Sequence, residues 1–465
     1  MPELQPLKPM MLVRPPNSIF YEESFWDELA DAGINEVALQ WLCLLDDRGG
    51  EQTRYPQVED THPRGLAAVG GSPVQRTPVA AYSPNPELYR DLDWQPPEMP
   101  SHMAGDAQDL KDALDMAVSK GFKLYTTDDK GYFLRGGFGT GKLDQKAPSF
   151  SFCNPEAPGM TVARARDTLA NYPQFSGLLL DGPDYKWEIQ PGHRDDMWVE
   201  KLDDEDSRRF AEANGFSMQR ILDGRERFKE RLHSLSPAAV EDFIANQGGT
   251  FGSLEWWLEE PDTVEWFQFK AAVIEWNVST AYAGVKKHLP QLEVANSSRP
   301  PAIAAITGHN LRRKRAYTDF QMPKEYWWSG GVAGFRGTVV NWVRTLREWN
   351  PGLSEEDASR WFSAAFDYPM PSDYPVADYD KEATDEWFST SVRDQTRKML
   401  AAAGSPEKFV PWVGLEHFGS NWVTPSELRR MLAEMQSLGA TRYCYFVYNS
   451  MKPEIWSVIN EFSRG

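Results

Sequence analysis

The chain is short of positive charge: 49 Lys and Arg stand against 68 Asp and Glu over 465 residues, a formal net charge of −19. A protein that binds duplex DNA or RNA displaces counterions with a basic footprint, and this composition supplies none. A polybasic hold on an anionic membrane surface is excluded on the same ground. Cysteine is scarce as well. Cys43, Cys153 and Cys444 are odd in number and far apart, so neither a disulfide framework nor a CxxC zinc or redox pair can be read from them. Each is expected as a buried free thiol. No run approaches the ~20 apolar residues of a membrane span. The opening segment Met1–Pro16 lacks a charged stretch leading into an apolar run, so no signal peptide is read. As given, the chain is expected in the cytoplasm, and one trimmed of an export signal would read the same.

What the chain has in excess is aromatic: 18 Trp, 17 Tyr and 24 Phe. Such rings either staple a core or line a surface that stacks on something flat. An apolar fraction of 41% is enough for a large core, so the chain is not disordered. A simple length prior gives roughly three domains, but barrels routinely exceed that prior as single units.

Short β-rich apolar runs alternate with amphipathic stretches along the whole chain. Strands are expected at Met10–Val13, Glu36–Leu42, Phe122–Thr127, Gly177–Asp181, Leu292–Ala295, Tyr317–Gln321, Phe409–Glu416 and Arg442–Tyr448. Among the intervening helices, Asp109–Lys120 carries Leu110, Ala113, Leu114 and Ala117 at helical spacing and ends before Gly121. Alternation of this kind gives parallel strands joined by right-handed crossovers. Eight of them close without leftover edges as a (β/α)8 TIM barrel of the α/β class. An open doubly wound sheet is disfavoured, because the first strand leads into Arg14-Pro15-Pro16-Asn17 and not into a GxGxxG turn. Residues 1–465 therefore read as one catalytic barrel domain with two long interruptions. A Pro/Gly-rich loop insertion covers 46–105 after the second strand, and a helical insertion covers 182–259 after the fourth. They are expected to wall the site or to serve as arms for a homo-oligomer.

Several motifs fail. Gly136–Lys142 resembles a phosphate loop, but Leu143 stands where Ser or Thr must bind magnesium. His193-Arg194-Asp195-Asp196 offers adjacent ligand-type side chains, which rarely chelate one ion together. Asp367, Asp373, Asp378 and Asp380 lack calcium-loop spacing. No GxSxG elbow or HExxH pair occurs. No metal and no organic cofactor are expected.

What survives is positional. Carboxylates collect at the expected strand ends: Asp128 after the third strand, Asp181 and Asp184 after the fourth, Asp319 on the sixth, Glu416 with His417 on the seventh. A barrel builds its site from such positions. Each one alone is as readily a cap or a backbone partner as a catalyst. Indoles and a phenol fall at the same rim: Trp41, Trp187, Trp327, Trp328, Trp422 and Tyr448. Trp26, Trp342, Trp349, Trp361 and Trp387 are expected to pack helices onto the barrel. Paired carboxylates in an aromatic cleft suit glycosidic cleavage, one acid protonating the leaving oxygen and the other attacking or activating water.

The segments Cys153–Glu156 with Gly177–Gly182, Thr318–Trp328 and Val413–His417 resemble those of the (β/α)8-barrel glycoside hydrolases. The resemblance implies a glycosidase acting on an oligosaccharide or glycoside. Asp181-Gly182 stands where the large retaining group has Asn-Glu, while Glu416 matches that group's strand-seven acid. Asp181 and Asp319 together match the Asp pair of the group resembling α-galactosidases. Asp181 is common to both alignments as nucleophile or base, with Glu416 or Asp319 as its partner. Asp128, Asp184, Arg299, His309, Lys324 and His417 are expected to bind hydroxyls or an acidic substituent, for which Arg299 and Lys324 supply the cations. Ion pairing within the protein is their commoner use. The alternatives are a glycan-binding barrel without turnover and a metal-dependent sugar isomerase or lyase.

Overall fold

A computed structural model of the chain describes residues 6–13, 18–40, 42–46, 77–93, 96–129, 151–193, 197–200, 202–246, 254, 257–328, 334–415, 423–448, 451 and 453–464. The strands are β1 Lys8–Val13, β2 Glu36–Leu39, β3 Cys43–Asp46, β4 Thr77–Ala80, β5 Lys123–Asp129, β6 Phe175–Asp181, β7 Glu293–Ser298, β8 Phe320–Glu325, β9 Trp412–Gly414 and β10 Arg442–Phe446. Eight of them form a closed barrel in the order β1-β10-β9-β8-β7-β6-β5-β2, with every neighbouring pair parallel. β3 and β4 form a separate antiparallel hairpin. The chain is therefore a (β/α)8 TIM barrel.

Around the barrel lie helices α1 Glu23–Asp31, α2 Ala104–Ser119, α3 Ala157–Asn171, α4 Glu205–Ala213, α5 Met218–Leu232, α6 Pro237–Asn246, α7 Pro261–His288, α8 Phe335–Trp349, α9 Glu355–Phe366, α10 Arg393–Ala403, α11 Pro425–Ser437 and α12 Pro453–Arg464. The stretch between β8 and β9 holds α8, α9 and α10, so a third long connection exists beyond the two read from the sequence. No helix among the described residues is long and apolar enough to cross a membrane.

Alternation along each strand divides the core into two layers. Met10, Leu12, Ala38, Tyr125, Leu179, Ala295, Phe320, Met322, Trp412, Cys444 and Phe446 fill the lumen. Met11, Val37, Leu124, Leu178, Leu180, Val294, Val413 and Tyr443 face the helices. This parity decides where every strand-end side chain goes. At the amino-terminal end of the lumen, Arg442 pairs with Glu36 at 2.7 Å and Lys123 with Glu293 at 2.6 Å. The Tyr125 hydroxyl donates to Glu293 at 2.7 Å.

The sixth barrel strand is displaced from its expected place. It begins at Phe320 and runs to Glu325, not from Tyr317 to Gln321. A 3-10 turn over Arg313–Ala316 occupies the preceding segment, and the Thr318 hydroxyl donates back to the Lys314 carbonyl. Pro323 hides the strand in the sequence, since proline removes a ladder donor, yet it pairs in register with Ser298. Trp26, Trp342, Trp361 and Trp387 are buried and Trp349 is partly so, all packed in the outer core.

Candidate active site at the carboxy-terminal rim

Asp181 is the last residue of β6. Leu179 two positions earlier points into the lumen, so Asp181 points there too, above a dry core. The chain then turns through Gly182, whose φ of 96° is open to glycine and costly for other residues. Asp184 follows in the loop. From β8, Lys324 enters the lumen by the same parity as Phe320 and Met322. Its ammonium lies 2.6 Å from Asp181 Oδ1 and 3.5 Å from Asp184 Oδ2, so one cation serves two carboxylates.

Three further groups complete the cluster. Ser297, on the lumen side of β7, donates from its hydroxyl to Asp181 Oδ1 at 3.0 Å. His309 Nε2 meets Asp184 Oδ1 at 2.5 Å. The Arg299 guanidinium lies over the Trp187 indole, 3.8 Å from its centroid, with Nε 3.8 Å from Asp184 Oδ2. Among the described residues, Asp181 Oδ2 accepts no hydrogen bond and Arg299 makes none. The Asp181, Asp184, Lys324 and Arg299 side chains are each about one-tenth exposed.

Electrostatics assigns protonation states. Burial alone would raise the Asp184 carboxyl, but the Lys324 ammonium, His309 and Arg299 hold it well below the usual carboxylate range. Burial and the nearby Lys314 and Lys324 ammonium groups push His309 down to about 4, against the pull of Asp184. His309 is therefore a neutral ring donating Nε2–H to an ionised Asp184. Lys314 is fully buried, donates to the Ser297 carbonyl at 3.0 Å, and is pushed by burial down to about 7.

The structure brings together Asp181, Asp184, Arg299, His309, Lys324 and Trp187. Other expected members lie elsewhere. Asp319 precedes β8 at the amino-terminal end of the barrel. Its Oδ2 accepts from the Val294 amide at 2.7 Å and pairs with Lys286 at 2.7 Å. Val294 lies three residues below Ser297 on β7, roughly 10 Å along the strand. Asp319 is thus no partner for Asp181, because β8 starts after it. Asp128 has helix-facing parity on β5 and forms an ion pair with Arg164 of α3 at 2.5 Å. Trp327 packs in the outer layer against Phe335 and Trp387. Trp328 is buried too, stacked on Tyr326 at 4.5 Å, with Gly414 so close that a Cβ there would fall 1.9 Å from the indole. Tyr448 leaves the lumen and packs edge-on against Phe25 and Trp456. None of these three rings offers a face to a sugar. Trp41, Glu416, His417 and Trp422 lie outside the described residues, as do Gly136–Lys142 and most of His193–Asp196.

Sequence reasoning missed Ser297, Asn296 and Lys314. A signal existed in Asn296-Ser297-Ser298, a polar run ending an otherwise apolar buried strand. Among the described residues, no group of His, Cys and acid side chains is arranged to hold a metal ion.

No family profile and no curated protein matches the chain. Among solved structures it is similar to the PgaB (BpsB) glycoside hydrolase domain from Bordetella bronchiseptica, with 12% identity, 99% of this chain against 100% of that one, and a TM-score of 0.45. It is also similar to a β-galactosidase from Marinomonas ef1, with 9% identity, 98% of this chain against 59% of that one, and a TM-score of 0.48. An endo-β-1,4-mannanase from Thermotoga petrophila matches at 10% identity, 100% against 77%, with a TM-score of 0.40.

Proposed function

We propose that the protein is a glycoside hydrolase whose reacting oxygen is Asp181 Oδ2. One observation carries the reading: Oδ1 is anchored by Lys324 and Ser297, while Oδ2 is left without a hydrogen-bond partner among the described residues at the rim of the lumen. An anchored carboxylate with one free oxygen can attack an anomeric carbon or take a proton from water. The proton for the leaving oxygen must come from elsewhere. Asp184 stays ionised and His309 stays neutral, so neither holds a proton to give as an acid. Glu416 is proposed for that role. Asp184, His309 and Lys324 bind hydroxyls, and the Trp187–Arg299 pair forms one wall.

The finer proposal is a substrate with an acidic substituent. Arg299 is nearly buried, lies over Trp187 and makes no hydrogen bond among the described residues, which leaves its donors for a carboxylate. A panel of neutral glycosides and glycuronides tests both parts. Asp181→Asn should lower turnover at least ~10³-fold; an unchanged rate sinks the assignment. Arg299→Met should raise KM for glycuronides more than for neutral glycosides. One observation favours a second reading, a glycan-binding barrel without turnover: a single ammonium lies against both carboxylates. Binding of the panel by wild type with no product formed would select it.

A further inference from the structure

We infer that Ser297, held by Asn296 and Lys314, is the positioning residue that aims Asp181 and selects its Oδ2 as the free oxygen. The inference rests on the glycosidase reading for its kinetic arm, and on geometry alone for its structural arm. The Ser297 hydroxyl does two things at once. It accepts from the Gly182 amide at 3.0 Å and donates to Asp181 Oδ1 at 3.0 Å. Because the amide occupies an acceptor site of the hydroxyl, its proton is left to point toward the carboxylate.

The neighbouring residues make the hydroxyl's position rigid. Asn296 is fully buried, and its amide nitrogen donates to the Leu180 carbonyl at 2.9 Å and the Gly182 carbonyl at 2.8 Å. Those two carbonyls flank Asp181, so the chain is clamped on both sides of the proposed nucleophile. Lys314, also fully buried, holds the Ser297 carbonyl at 3.0 Å. β6 and β7 pair as far as Leu180 with Asn296, so the clamp takes over where the strand ladder ends. A carboxylate bonded to Lys324 alone could swing about that mobile ammonium, whereas the second bond from a fixed hydroxyl removes the swing.

The test uses the full chain and the variants Ser297→Ala and Ser297→Thr. With a glycoside that wild type turns over, Ser297→Ala should lower kcat about 10-fold with KM within about twofold, and should move the acid limb of the pH–rate profile to higher pH. Ser297→Thr, which keeps the hydroxyl, should restore most of the rate and the profile. Crystal structures of wild type and Ser297→Ala supply the arm that needs no turnover: the Asp181 carboxylate should rotate and Oδ1 should leave its place. An unmoved carboxylate, or an unchanged rate and acid limb in a folded Ser297→Ala, overturns the inference. If the carboxylate moves but Asp181→Asn costs nothing in turnover, the assignment of Asp181 as the reacting group fails and the positioning role stands.

Discussion

The two ends of the barrel use the same residue types and reach opposite results. At the amino-terminal end acids and cations are matched nearly one to one: Glu36 with Arg442, Glu293 with Lys123, and Asp319 with Lys286. At the carboxy-terminal end Lys324 is shared by Asp181 and Asp184, the nearby His309 is neutral, and Arg299 reaches Asp184 only at 3.8 Å. In the first arrangement each acid has its own cation. The second leaves an oxygen of Asp181 and the donors of Arg299 uncommitted among the described residues. A carboxylate in a barrel is therefore informative only when its partners fall short of its capacity.

The sharpest way to break the contrast is to remove one acid at each end. Asp181→Asn should cost at least ~10³ in turnover, as proposed above, while Asp319→Asn should leave kcat within about twofold and cost ~1 kcal/mol of stability by weakening its bond to Val294. Loss of turnover in a folded Asp319→Asn would erase the distinction. Removing the cations comes next. Lys324→Met leaves two nearly buried carboxylates without their shared partner and should destabilise by about 3 kcal/mol in urea unfolding. Lys286→Met, at a pair about a quarter exposed, should cost under about 1 kcal/mol.

The pH dependence of stability separates the ends more finely. His309 in the folded protein sits near 4, below its free value of about 6.5, so the unfolded chain binds its proton more readily. Its contribution is complete above about 6.5 and is lost as pH falls toward 4, by up to about 3 kcal/mol. His309→Gln should flatten that part of the curve, measured by urea unfolding across the window. The smallest effect concerns a cation behind the rim. Lys270 of α7 is fully buried among Trp266, Tyr185 and Phe267, has no hydrogen-bond partner among the described residues, and is pushed by burial down to about 8. Lys270→Met should be neutral or stabilising by about 1 kcal/mol at pH 7, with kcat unchanged. A large loss of activity would show that this buried charge supports the Asp184 loop directly.

Much of this was written in local sequence. Strand-like runs alternating with amphipathic ones announced an eight-stranded parallel barrel, and Leu178-Leu179-Leu180-Asp181 announced a carboxylate at the edge of a core. Asp184, Arg299, His309, Lys324 and Trp187 lie near expected strand ends in the sequence, and pairing draws them into one cluster. Asp128, Asp319, Trp327 and Tyr448 lie near expected strand ends as well and sit elsewhere. The reason is physical. Strands of a parallel barrel are buried on both faces, so the period of two that would reveal which side chain faces the lumen is masked by apolar residues on each side. A residue's height in the barrel is hidden as well, because it depends on register with neighbouring strands. Composition and pattern thus settle the architecture and nominate the residues. Register and parity, which exist only between strands, determine that Asp181 meets Lys324 and Ser297 while Asp319 meets Lys286.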